Sequence, residues 1–317
     1  MSNKETTGAG GESMKSKYAF VVAANEKYLP PLNVLLNSLE KVGNKQDVHL
    51  ISWALPAKYL AKLDQLGYRV IVHEVSGIPE MQALGEGEVL MRYRYALLDV
   101  EYDAICVLDA DSCIIRNLDI WFEIADKADV IIGCGLEQKR TYGEGFEEHH
   151  KVDGKHILPK TWNEKDICCS PLFYSPKFSD AFVFSWKIFA DYPPERRFRG
   201  PDMDSVNLSI MKFGYQNRVI ALAEATWSGL HETLLKPCSH VCEMHGNLWT
   251  VNGEELFVLH GQFLSSVWQG WQLDGQLKMI DRELNGSETC KALARNCLAF
   301  LVDYVKKMAE YKVKIDG

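Results

Sequence analysis

Apolar and polar positions alternate along this chain in blocks, and the blocks predict alternating strands and helices. Tyr18 to Ala24 is apolar throughout, as expected of a strand buried on both faces. After a polar turn, Leu32, Leu35, Leu36 and Leu39 recur at helical spacing and predict a helix from about Pro30 to Val42. The pattern repeats with a strand from Val48 to Trp53, a helix from near Pro56, and a strand from Tyr68 to Glu74 after Gly67. A Gly- and Glu-rich loop (Gly85 to Glu88) and a helical segment (Met91 to Leu98) lead to a central strand, Ala104 to Leu108. Beyond it we expect a short helix at Leu118 to Ala125 and a strand at Val130 to Cys134. Apolar sequence returns at Ile167 to Tyr174, before helices at about Phe178 to Asp191 and Asp202 to Phe213 and a strand at Arg218 to Leu222. Such alternation implies a parallel sheet with helices on both faces. The polar stretch from Gly135 to Asp166 is read as a loop offering acceptor-side contacts. Glu288 to Lys312 reads as an amphipathic helix packed on the same domain.

Composition narrows the class. Of 317 residues 47% are hydrophobic, ample for a real core, and the net charge of −8 argues against a broadly basic nucleic-acid surface. Residues 1–17 are rich in Gly, Ser, Thr and Lys and are expected to form a disordered tail, followed by one catalytic domain over 18–275 and a helical extension over 276–317. No window approaches the roughly 20 apolar residues of a membrane span. Nine cysteines, an odd count scattered through expected core strands (Cys106, Cys113, Cys134), read as reduced small hydrophobes in a cytoplasmic protein.

The candidate chemistry begins where the central strand ends, at Asp109-Ala110-Asp111. Ligands of open α/β sheets bind beyond the carboxyl ends of the strands. An ionised Asp there is costly unless paired, hydrogen-bonded or bound to a cation. Hard carboxylate oxygens suit Mn²⁺ or Mg²⁺, which in turn hold phosphate oxygens. The alternative for Asp111 is a cap for the turn into the next helix. The segment Cys238 to His245 holds four potential zinc ligands, but it lacks the two separated ligand pairs of a structural zinc site.

Together with three further segments, the triplet resembles the GT-A fold glycosyltransferases, and within them glycosyltransferase family 8, over roughly Tyr18 to Trp268. Ala23-Ala24-Asn25-Glu26-Lys27-Tyr28-Leu29-Pro30, with Asn37-Ser38-Leu39, is similar to the family's first strand and helix. Arg92-Tyr93-Arg94-Tyr95, leading to Asp109-Ala110-Asp111, resembles its basic helix and metal triplet. Asp202-Met203-Asp204-Ser205-Val206-Asn207 is similar to its Asp-Gln-Asp-x-x-Asn helix start beside the donor sugar, and Val258-Leu259-His260-Gly261 to its late strand ending in a metal-binding His.

This resemblance implies an α/β fold with a Rossmann-like, mostly parallel mixed sheet flanked by helices and a C-terminal helical extension. It implies transfer of a hexose from a nucleoside-diphosphate sugar, a UDP-sugar first, to a carbohydrate or glycosylated acceptor with retention of configuration. Asp109, Asp111 and His260 would hold the metal. Ala23, Asn25 and Tyr28 would meet the base, and Arg92 or Arg94 the diphosphate or ribose. Ala110 and Asn207 would complete the nucleotide contacts, and Asp202 and Asp204, with Asp109, would act on the sugar. Each has a plainer alternative: a helix cap for Asp202 after Gly200-Pro201, a structural strand-end His for His260, ordinary packing for Tyr28, and a solvated charge for Arg94.

Three departures accompany the resemblance. Met203 stands where the family has Gln, Cys169-Ser170-Pro171 where it has Asn before a small residue and Gly, and no Lys follows His260 before Trp268. A degenerate transferase kept as a sugar-binding scaffold is therefore a competing reading. A sugar nucleotidyltransferase needs a Gly-rich loop after the first strand, which Ala24 to Tyr28 lacks. A dehalogenase-type phosphatase carries its Asp-x-Asp after the first strand, not after three.

Overall fold

The computed structural model describes residues 16–79, 101–135, 151–152, 155–156, 167–190, 201–222, 242–245, 248–251, 254–260 and 288–315. The chain opens with β1 (Tyr18–Asn25), α1 (Leu29–Lys41), β2 (Asp47–Trp53), the short α2 (Ala57–Leu60) and β3 (Val70–Glu74). Next come β4 (Ala104–Asp109), β5 (Ser112–Ile114), α3 (Asp119–Ala128) and β6 (Ile131–Gly135). A hairpin of β7 (Lys151–Val152) and β8 (Lys155–His156) precedes β9 (Ile167–Tyr174), α4 (Ser179–Ala190), α5 (Pro201–Lys212) and β10 (Val219–Leu222). Last are β11 (Cys242–His245), β12 (Leu248–Val251), β13 (Glu254–Glu255), β14 (Val258–His260) and α6 (Glu288–Ala309). The expected helix at Met91 to Leu98 and the loop at Gly85 to Glu88 lie outside the described residues.

Seven strands form one sheet in the order β10-β6-β9-β4-β1-β2-β3. Six run parallel, and β9 runs antiparallel to both β4 and β6. This is the mixed, mostly parallel sheet expected. Antiparallel neighbours need no crossover helix, and among the described residues only the β7–β8 hairpin lies between β6 and β9.

The all-apolar strands fill two cores because successive side chains point to opposite faces. Phe20, Val22, Leu50, Cys106 and Leu108 pack with Leu32, Leu35, Leu36 and Leu39 of α1 and Phe122 of α3 on one face. Ala19, Val21, Ile51, Ile105 and Val107 pack with Phe182 of α4 and Val206 and Ile210 of α5 on the other. Phe122 locks the first face, stacked on Tyr18 at 5.2 Å and edge-on to Phe20 at 4.9 Å and Phe173 at 5.1 Å. Cys106, Cys113 and Cys134 are buried free thiols, and burial pushes Cys113 up to about 12. Gly43, at φ +77°, ends α1 in the left-handed region.

Two buried asparagines on α1 clasp the C-terminal segment. Asn33 Nδ2 donates to Ala309 O (2.8 Å), while Asn37 Nδ2 donates to Val313 O (2.8 Å) and Asn37 Oδ1 accepts from Val313 N (2.9 Å). Along the second face, Asp47 receives the Arg69 guanidinium and the Tyr102 hydroxyl. Tyr102 also meets His49 Nε2 at 2.9 Å, and His49 Nδ1 lies 3.1 Å from His73 Nε2.

Asn37 is wholly buried and His73 half-buried, and each can be tested. Asn37→Ala strands both the N–H and the carbonyl of Val313, so urea unfolding should show a loss of about 1–3 kcal/mol with an unchanged m-value. Burial lowers the His73 pKa to about 4 from an ordinary 6.5. Between those values the unfolded chain binds a proton that the folded chain refuses, so the stability owed to neutral His73 is complete above pH 6.5 and drains away as pH falls through about 4. His73→Phe should flatten the fall in urea midpoint across that window.

Candidate metal centre

β4 ends at Asp109, which lies in register with Ala23 of β1, so this carboxylate stands at the carboxyl edge of the parallel strands. Ala110 and Asp111 make the turn into β5. At the start of the next helix Asn117 Oδ1 accepts from Asp119 N at 2.7 Å.

β14 brings the third member. It pairs antiparallel with β5 through Val258↔Ile114, Leu259↔Cys113 and His260↔Ser112, which carries His260 back to the triplet. Its Nε2 lies 2.8 Å from Asp109 Oδ2 and 3.5 Å from Asp111 Oδ1. One ligand atom from each of the three residues falls within 4.8 Å of the others, and all three side chains are partly exposed. The expected metal triad is therefore one cluster.

The structure places the other expected residues on several elements. Asn25, the last residue of β1, accepts from Tyr28 N through Oδ1 (3.2 Å) and so shapes the turn before α1. Tyr28 is partly buried against the α1-side core, with Lys27 Nζ 5.9 Å from its ring centre. Ala23 and Ala110 are buried at either side of Asp109. Asn25 is in register with Trp53, and the turn beyond Trp53 is held by Glu74, which accepts from Ser52 Oγ (2.6 Å), Ser76 N (2.9 Å) and Ala54 N (3.1 Å). Burial alone would raise the Glu74 pKa, but the bonds from Ser52 and Ser76 outweigh it and hold the carboxyl below its ordinary range.

Asp202 and Asp204 lie in the first turn of α5. Asn207, one turn later, is buried and fastens α5 to the start of β9: Nδ2 donates to Ile167 O (2.8 Å) and Oδ1 accepts from Ile167 N (3.2 Å). Arg92, Arg94 and the segment from Gly261 to Trp268 lie outside the described residues. One neighbour of the cluster escaped the sequence: Ser170 Oγ accepts the Asp109 N–H at 2.7 Å. The only signal for it was a hydroxyl at the strand position before Pro171.

No family model and no curated protein matches this sequence. Solved structures of glycosyltransferases are similar to it. The galactosyltransferase LgtC, solved with donor and acceptor sugar analogs, is 13% identical, with 86% of this chain and 99% of that one covered and a TM-score of 0.48. GlyE of Streptococcus pneumoniae is 13% identical over 91% of this chain and 64% of its own, at a TM-score of 0.49. The bifunctional glycosyltransferase WbbM is 12% identical over 69% of this chain and 41% of its own, also at 0.49. The chain thus spans less than two thirds of both GlyE and WbbM.

Two separations within the cluster suit a small divalent cation. Donors about 2.1 Å from an octahedral ion stand about 3 Å apart when adjacent and about 4.2 Å when opposite. The His260 separations of 2.8 and 3.5 Å sit near the adjacent value. Two carboxylate oxygens and one imidazole nitrogen are a donor set suited to Mn²⁺, with Mg²⁺ the harder alternative.

His260→Ala should weaken Mn²⁺ binding by more than the roughly tenfold typical of losing an outer-shell partner. Titration followed by the free-Mn²⁺ EPR signal measures this directly.

Proposed function

We propose that the chain is a metal-dependent glycosyltransferase of the GT-A type, similar to family 8, moving a hexose from a UDP-sugar to an acceptor hydroxyl with retention of configuration. The observation that carries this reading is the convergence of Asp109, Asp111 and His260 at the strand edge where nucleotides bind in open α/β sheets. The triad comes from segments matching the family's metal motifs, in the family's order. The free buried thiols support a reducing, cytoplasmic setting. Among the described residues no helix is long and apolar enough to cross a membrane.

The reaction exchanges one bond at the anomeric carbon: the bond to the donor phosphate oxygen breaks, a bond to the acceptor oxygen forms, and the acceptor's proton leaves. Asp109, Asp111 and His260 would hold Mn²⁺ or Mg²⁺, which when bound neutralises the charge gathering on the departing diphosphate. Asn25 and Tyr28, beside Ala23, would take the base, with Ala110 and Asn207 at the nucleotide's edge and Arg92 or Arg94 at the diphosphate. Asp202 and Asp204, at the start of α5, would orient the sugar hydroxyls and the carbohydrate acceptor. Residues 18–275 would form the catalytic domain, and 276–317 an extension packed upon it.

A second reading, a sugar-binding scaffold, is favoured by Met203, since a thioether offers no amide oxygen to a developing sugar cation. UDP with Mn²⁺ at about 100-fold over Kd should stabilise the fold by about 2.7 kcal/mol, visible as a clear rise in Tm, and Asp111→Ala should abolish it. Absence of a metal-dependent shift with any nucleoside diphosphate would sink the transferase reading. A shift without slow hydrolysis of any nucleotide sugar selects the scaffold.

A further inference from the structure

Three ligand atoms make a cation site only if the strands that carry them are fixed, and here two buried serine hydroxyls do the fixing. β4 and β9 pair through Ile105↔Tyr174, Cys106↔Phe173 and Val107↔Leu172. Continued by two residues, the same register sets Asp109 opposite Ser170. The ladder stops before that point, because the intervening residue, Pro171, has no N–H to give. Beyond the ladder the Ser170 side chain serves as an acceptor: its Oγ takes the Asp109 N–H at 2.7 Å, and the residue is only 2% exposed.

A second hydroxyl performs the same task beyond the turn. Ile114 N, at the end of β5, donates to Ser38 Oγ at 2.9 Å, and Ser38 in turn donates to Leu35 O at 2.8 Å within α1. Ser38 is wholly buried. Ile114 lies opposite Val258, two residues before His260, so the bond that anchors β5 to α1 also fixes the strand bearing the imidazole. Asp109 is thus held from the β9 side, while Asp111 and His260 are held from the α1 side.

We propose that Ser170 and Ser38 are positioning residues of the cation site, setting from its two sides the spacing at which Asp109, Asp111 and His260 meet a metal. The proposal rests on the metal reading above. Without Ser170 Oγ, the Asp109 N–H must seek another acceptor, and the peptide that aims the carboxylate rotates with it. Without Ser38 Oγ, the buried Ile114 N–H loses its acceptor and β5 is free to shift, carrying β14 along. Outer-shell partners of metal ligands typically govern affinity by about 10- to 100-fold.

The test is Mn²⁺ titration of the full chain, without nucleotide, followed by EPR, together with the Tm of each metal-free variant. Ser170→Ala and Ser38→Ala should each weaken Mn²⁺ binding by about tenfold or more, and Ser170→Thr, which keeps the oxygen, should restore it. Asn33→Ala, which loses a buried hydrogen bond to Ala309 far along the chain, should lower Tm while leaving Mn²⁺ affinity at the wild-type value. If both serine variants lose stability as Asn33→Ala does yet bind Mn²⁺ as tightly as wild type, the hydroxyls are structural only and the proposal is overturned. A wild-type chain that takes up no Mn²⁺ overturns the metal reading and this proposal together, and is seen before any variant is compared.

Discussion

The pairing of β14 on β5 is the contact on which the candidate site depends. It joins residues far apart in the chain, and its register decides whether His260 meets the two aspartates. Side chains alternate across a strand, so a slip of one residue would turn the imidazole to the opposite face. Nothing local to β14 prevents that slip, because the ribbon is only three residues long. Its register is fixed from outside: Val258, Ile114 and Leu118 are buried in the α1-side core, and Ile115 N donates to Phe257 O at 2.8 Å just beyond the paired residues. Hydrophobic packing on one face of the sheet thereby selects the geometry of a polar cluster at its edge.

The same core explains the position of α1. Four leucines seat it on the sheet, while Asn33 and Asn37 turn buried amides toward the C-terminal segment. Ser38, between those two tasks, holds the strand that follows the metal triplet. One helix therefore joins the turn at Asn25 and Tyr28, the strand at Ser112 to Ile114, and the end of the chain.

Much of this was legible in the sequence, and the part that was not has a physical reason. β1, β4 and β6 are uninterrupted apolar runs, and the leucine spacing of α1 leaves no alternative to a helix, so these elements were readable within a residue or two. Asp109 and Asp111 were readable because a carboxylate at the end of a buried strand demands a partner. The direction of β9 was not readable, since an apolar run pairs equally well either way and only its neighbours decide. His260 was expected at the cluster only through family resemblance; periodicity places it on a strand end and says nothing of which strand lies alongside. Ser170 and Ser38 were invisible as functional groups, because a serine beside a proline or within an apolar helix carries no sign of which backbone N–H it will receive.

Asp47 and Glu74 differ in setting from Asp109 and Asp111. Asp47 is closed by the Arg69 guanidinium and the Tyr102 hydroxyl, near the amino ends of the parallel strands, and Glu74 by a hydroxyl and two backbone N–H groups. In both, donors surround one carboxylate; for the buried Asp47 this is the ordinary way to make a charge tolerable, while Glu74 is exposed. Asp109 and Asp111 are arranged otherwise: two carboxylates are brought together around a single imidazole, at the partly exposed edge where a ligand can enter. The oxygen and nitrogen donors gathered there are of the kind that a divalent cation could use.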